Sequence, residues 1–258
     1  MRHAPTVASN VNLSAPQTEA ELRVELAAAY RIFDHLGWVE LIYNHLTVKV
    51  PGPERHFLIN PFGLMYREVT ASNLVKIDLE GRIVGQSRYP VNPAGFVAHS
   101  AIHEAKPEAL CIMHTHTTAG MAVACKKGGL AMTNFYAAML YDQVAYHDFE
   151  GITVNLDEKP RLVASLGNKR HLILRNHGLL TWGQTIPEAF VRLWTLNRAC
   201  EIQMACSSMA GEDIPVPPEV CAQAARECLH LNADYGAGRD VFDALRRIID
   251  AKDPSYRT

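Results

Sequence analysis

Three histidines hold the side chains best suited to chemistry: His114 and His116 in the run Cys111-Ile112-Met113-His114-Thr115-His116, and His177 in Arg175-Asn176-His177-Gly178. The apolar residues ahead of the first pair read as the end of a buried strand, where alternation sends His114 and His116 to one face. Two imidazoles on one face can share a metal ion. A His-x-His pair alone also occurs as two hydrogen-bonded core histidines, so the third member carries the weight. Neutral imidazole suits first-row divalent ions, with Zn expected first and Mn, Co or Fe as alternatives. Three protein ligands leave a position open for water or substrate, which is the catalytic rather than the structural arrangement.

Such a site needs elements that bring residues 114–116 and 177 together. Thr18-Glu19-Ala20-Glu21 has the form of a capping box, opening a helix that runs to about Leu36. Residues 1–16 are polar and irregular and are expected to form a flexible arm, with 17–258 as one domain. Two apolar runs, Leu46 to Val50 and His56 to Ile59, read as adjacent strands across Pro51-Gly52-Pro53. Leu74 to Leu79 and Ile83 to Val84 suggest a hairpin over Glu80-Gly81, and a helix is predicted from Pro93 to about Glu104. After the histidine strand come helical pieces at Thr117 to Cys125 and Phe135 to Leu140, a strand at Val144 to His147, and a helix at Lys159 to Gly167. His171 to Leu174 and Gly178 to Trp182 then read as strands joined by the turn holding His177. Helical spacing dominates from Ile186 to about Met209, and again near 217–235 and 239–251.

Composition narrows the function classes. The chain has 258 residues, 48% of them hydrophobic, enough for a sizeable core. A net charge of −2 without lysine- or arginine-rich tracts leaves no footprint for nucleic acid or an anionic membrane, so a small-molecule substrate and copies of the chain itself are the expected partners. No run approaches the roughly 18 apolar residues of a membrane span, and the first residues lack a signal-peptide core, so a cytoplasmic protein is expected. Six cysteines without a Cys-x-x-Cys pair read as reduced packing residues.

Five runs carry a family resemblance: Leu41-Ile42-Tyr43-Asn44-His45-Leu46-Thr47, Asn60-Pro61-Phe62-Gly63-Leu64-Met65-Tyr66, Asn92-Pro93-Ala94-Gly95-Phe96, His114-Thr115-His116-Thr117 and Leu174-Arg175-Asn176-His177-Gly178-Leu179. In this order they resemble the class II aldolase/adducin family over about residues 20 to 210, nearest the adducin head domain and its bacterial relatives. The resemblance implies a three-layer α/β/α fold with a central, mainly antiparallel sheet, commonly assembled as a homotetramer with active sites between subunits. It also implies that His114, His116 and His177 bind a divalent ion, which would stabilise an enediolate when a carbon–carbon bond breaks.

The chain departs from the sugar-phosphate aldolases of that family where they carry a Ser-Ser-Glu motif. Its glutamate, an acid/base, falls at Gly95, and its serines at Pro93 and Ala94. Loss of that carboxylate forfeits the roughly 10²- to 10⁴-fold typical of general acid–base catalysis. A Gly-Asn pair that helps hold phosphate falls at Asn44 and His45, leaving only Gly63 of that pattern, itself equally an ordinary turn glycine. The remaining candidates near the metal are His45 and His99, with Tyr136 matching a tyrosine that donates a proton across the subunit interface. For substrate contacts, the candidates are Asn44, Gly63, Asn92 and Arg175. His45 could shuttle a proton or bind a carboxylate. Tyr136 also fits plain core or interface packing, and His99 a buried hydrogen bond.

A metal cage without its glutamate fits a carbon–carbon lyase, aldolase-like or decarboxylase-like, acting on an unphosphorylated hydroxy, keto or aromatic acid. The competing class is a non-catalytic, adducin-like scaffold. Actin binding is not expected, because the sequence has no lysine-rich tail of the kind adducins use on acidic filaments.

Overall fold

The computed structural model describes residues 18–152, 155–228 and 237–258. The expected N-terminal arm lies outside the described residues, as does the part of the 217–235 helix beyond Cys228.

Helix α1 (Glu19–Leu36) starts at the capping box: the Thr18 hydroxyl accepts from the Glu21 backbone N–H, and the Glu21 carboxylate accepts from that of Thr18. Satisfying these otherwise orphaned donors fixes the first turn. Strands β1 (Leu46–Lys49), β2 (Phe57–Ile59) and β3 (Val75–Ile77) follow, then α2 (Pro93–Ala105), β4 (Cys111–Thr115), α3 (Thr118–Ala124), α4 (Phe135–Met139) and β5 (Val144–His147). The rest of the chain is α5 (Lys159–Leu166), β6 (His171–Leu174), β7 (Gly178–Gly183), α6 (Ile186–Ser207), α7 (Pro218–Cys228) and α8 (Arg239–Lys252). Among the described residues no helix is long and apolar enough to cross a membrane.

The seven strands form one sheet in the order β3-β2-β1-β4-β7-β6-β5. Every pairing is antiparallel except β5 with β6. Alternation along β4 sorts its side chains between two cores. Cys111 and Met113 join the larger one with α1, α3, α6 and α8, whereas Ile112 joins Ala98 and Ile102 of α2 and Leu162 and Leu166 of α5. Helices therefore cover both faces, giving three layers. Since His114 shares the parity of Ile112, it faces the α2 side.

The Tyr30 hydroxyl ties α1 to the sheet: it accepts the Leu46 backbone N–H at 2.8 Å and lies 2.6 Å from the Leu46 carbonyl and 3.0 Å from Asn60 Oδ1. That anchor fixes the start of β1, one residue after His45.

Two expectations need correction. The hairpin over Glu80-Gly81 shrinks to a single bridge between Ile77 and Ile83, because the Asp78 carboxylate takes up the backbone N–H groups of Glu80 and Arg82 inside the turn. Of the six free cysteines, Cys111, Cys200 and Cys221 are buried, but Cys125 is exposed where α3 ends, so it is not a packing residue.

Candidate metal centre

The C-terminal end of β4 lies beside the start of β7, with His114 opposite Leu180 and Thr115 opposite Leu179. His116 follows directly on β4, and His177 directly precedes β7, so strand pairing alone draws the three rings together. Their centroids lie 4.6 Å (His114–His116), 4.9 Å (His114–His177) and 4.9 Å (His116–His177) apart. One nitrogen from each ring falls within 4.8 Å of the others. The turn is bolted down by its backbone: the N–H of Arg175 donates to the His147 carbonyl and that of Asn176 to the Ala124 carbonyl. Asn176 adopts φ 55, a left-handed conformation that asparagine tolerates better than most residues.

Gly178 is required for this approach. A Cβ there would collide with the Thr115 carbonyl and lie 3.0 Å from the His116 ring and 3.2 Å from that of His114.

The proton arrangement fits a cation. His114 Nδ1 is 2.8 Å from the Leu179 carbonyl, which can only accept, so Nδ1 carries the hydrogen and Nε2 keeps its lone pair. That Nε2 faces Nε2 of His116 at 2.8 Å. Burial holds all three imidazoles neutral: His114 lies well below the ordinary histidine range, His177 is lowered to about 4, and His116 is lowered by burial against the opposing pull of Glu40. Neutral, pre-aligned imidazoles are what a divalent first-row ion needs.

Burial also lowers His45 to about 4 and His103 and His171 to about 3. An unfolded chain takes up protons on these rings below about pH 6.5, while the fold excludes them until pH 3 to 4, so stability falls as pH falls. The melting temperature of metal-free protein is expected to drop steadily between pH 7 and pH 4. A flat profile across that window would show that the rings are not held neutral.

Beside the cage, the His45 ring lies 4.3 Å from that of His99 and 5.4 Å from that of His114. A Cβ at Gly95 would sit 2.7 Å from His45 Nδ1, so the imidazole occupies the space a side chain at 95 would need. His99 belongs to a buried relay: its Nδ1 is 2.7 Å from Thr47 Oγ1, which is 2.8 Å from His103 Nε2, and His103 Nδ1 is 2.9 Å from the Ala109 carbonyl. Because that carbonyl accepts, His103 donates from Nδ1, Thr47 donates to His103, and His99 donates to Thr47. His99 Nε2 is thereby left as a buried acceptor without a protein partner; Asn44 Oδ1 is another.

A cavity of about 390 Å³ opens over the cage, with His45, Asn92 and Gly95 on its walls. Asn92 also caps α2, accepting the Ala94 N–H at 3.1 Å. The sequence reading missed Glu40, Met121, Phe149 and Ile152, which line the same cavity. Two apolar side chains in the otherwise polar, glycine-containing stretch Asp148-Phe149-Glu150-Gly151-Ile152 were the available signal.

Besides the buried Asn44 and His99, the candidates Arg175, Gly63 and Tyr136 are also absent from the cavity walls. The Arg175 guanidinium donates to the carbonyls of Lys126 and Lys127 at 3.0 and 3.3 Å and sits 4.5 Å over the Tyr146 ring. Gly63, at φ 105, occupies the turn after β2 and does not line the cavity. Tyr136 packs edge-on against Trp194 at 5.4 Å, also off the cavity walls.

Residues 24–204 match the model of the "Class II Aldolase and Adducin N-terminal domain" family. A Pseudomonas aeruginosa protein named "Putative aldolase class 2 protein" is 43% identical over 252 residues, covering 96% of each chain. Mouse alpha-adducin is 50% identical over 253 residues, 93% of this chain but 34% of the adducin. Among solved structures, the L-fuculose 1-phosphate aldolase from Glaciozyma antarctica superposes with a TM-score of 0.81 at 34% identity, covering 93% of both chains. Family match, relatives and three-layer architecture agree: the chain belongs to the class II aldolase/adducin family.

Proposed function

We propose that this protein is a divalent-metal-dependent carbon–carbon lyase, aldolase-like or decarboxylase-like, acting on an unphosphorylated hydroxy, keto or aromatic acid. The observation that carries this reading is the convergence of three neutral imidazoles on a cavity, with the His114 tautomer set by the Leu179 carbonyl. His114, His116 and His177 would hold the ion, Zn first among the candidates. A bound ion supplies Lewis acidity toward a substrate oxygen on which negative charge develops.

His45 lines the cavity where a carboxylate at position 95 has no room, and it is the proposed proton-transfer group, backed by the ring of His99. Asn92 offers a side-chain amide to substrate oxygens from the cavity wall. Arg175, which holds the turn carrying His177 through the Lys126 and Lys127 carbonyls, is proposed to position that ligand rather than to touch substrate; Asn44 and Gly63, off the cavity walls, take no part in the proposal. Tyr136, remote from the cavity within one chain, would contribute from a neighbouring subunit of a homotetramer, the assembly the family resemblance implies.

A second reading, an adducin-like binding protein, is favoured by the 50% identity to mouse alpha-adducin. Elemental analysis of protein purified without added metal separates the two, followed by a screen of hydroxy, keto and aromatic acids for release of carbon dioxide or aldehyde. Stoichiometric metal with turnover is the expected result. Metal-free protein after gentle purification, inert toward every acid, would overturn the lyase reading in favour of the scaffold.

A further inference from the structure

The cavity walls carry an imbalance of charge and polarity that bears on what can enter. Among the described residues that line it, Glu40 is the only aspartate, glutamate, lysine or arginine. No lysine or arginine among them is available to pair with a phosphate, and Arg175, the nearest in sequence to the cage, is committed to two backbone carbonyls and the Tyr146 ring. Three neutral imidazoles holding a divalent ion leave two positive charges. Glu40, exposed on the cavity wall but near enough to act on the His116 ring, offsets part of that charge, and a single substrate carboxylate offsets most of the rest. A phosphorylated acid would bring surplus negative charge into a partly desolvated site without a partner, which is costly.

The opposite wall is apolar. Phe149 is 53% exposed, Ile152 76% and Met121 37%, all on the cavity rim. The Phe149 ring stands edge-on to that of His177 at 6.2 Å, so an apolar group would meet it directly beside the cage. Covering such surface favours binding of a matching apolar group. On the α2 side the wall is built from the small residues Ala94, Gly95 and Ala98, with the His45 imidazole filling the space beside Gly95.

Resting on the metal-lyase reading, we propose that the cavity selects a monoanionic, oxygen-chelating acid bearing an aromatic or branched apolar group. Phe149 and Ile152 receive that group, and Glu40 turns away a second negative charge. These three side chains set specificity; none belongs to the metal cage.

The test uses the full chain loaded with Co²⁺, whose visible absorption changes when an oxygen ligand binds, titrated with mandelate, glycolate and 2-phosphoglycolate. Mandelate is expected to bind about tenfold or more tighter than glycolate, the size of discrimination an apolar pocket gives, and 2-phosphoglycolate weakest. Phe149→Ala should bring mandelate close to glycolate. Glu40→Gln should tighten 2-phosphoglycolate several-fold and leave the mandelate-to-glycolate ratio unchanged. Co²⁺ content equal to the parent certifies each variant's fold, and Ile152→Ala, at an exposed loop position, replaces Phe149→Ala if the latter fails to fold. Equal binding of glycolate and mandelate, or tightest binding of 2-phosphoglycolate, would overturn the proposal while leaving the metal site standing. Absence of Co²⁺ uptake would overturn the metal reading itself, and this selectivity with it.

Discussion

Replacing His114 by alanine is expected to abolish both metal content and turnover. Its ring is 3% exposed, its Nδ1 hydrogen is committed to the Leu179 carbonyl, and its Nε2 points at that of His116. Loss of an outer-shell partner alone typically costs roughly 10- to 100-fold in metal affinity, so loss of the ligand itself should exceed that. Among the described residues, His114, His116 and His177 form the one cluster of candidate ligands, so no alternative cage is at hand. Elemental analysis of dialysed protein reads the effect, with His35→Ala, an exposed histidine, as the control expected to keep its metal. Full occupancy in His114→Ala would remove the ligand assignment.

The second large effect is expected from one methyl group. Gly178→Ala would place a Cβ against the Thr115 carbonyl and the imidazoles of His114 and His116, where the first obstacle is backbone in a paired strand rather than a mobile side-chain tip. Overpacking of this kind costs about 1–3 kcal/mol, which for a chain of this size lowers the melting temperature by very roughly 2–12 °C. Pushing β4 from β7 also parts His177 from His114, so metal affinity should fall with stability. Gly128→Ala meets nothing within 4 Å and provides the comparison, expected within about 0.5 kcal/mol of the parent. Parental melting and metal content in Gly178→Ala would show that the close approach is not needed.

What the sequence made legible follows from the range of the interactions involved. The capping box of α1 and the parity of β4 are local patterns, and both elements occur where those patterns place them. The turn holding His177 between two strands was equally readable, because β6 and β7 are short apolar runs on either side of it. The orientation of Arg175 was not: its partners, Lys126, Lys127 and Tyr146, lie far back in the chain, and nothing beside residue 175 announces them. The same holds for Glu40 and Phe149, which meet at the cavity only because the sheet brings the entry to β1 beside β4 and β7. The interlock of Gly95 with the His45 ring shows the limit most clearly. The sequence reading treated the glycine as a missing carboxylate, whereas in the fold its lack of a side chain makes room for another residue's imidazole.

The pairing of β4 with β7 also sets an order of assembly. The stretch between the two strands contains α3, α4, β5, α5 and β6. Helices such as α1 form from neighbouring residues on fast timescales, whereas bringing distant strands together requires loop entropy to be lost before any contact compensates for it. An emerging chain thus presents His114 and His116 well before His177 exists to complete the set of three. In the proposed metal centre, the choice of ion therefore falls to the finished sheet and not to the nascent chain.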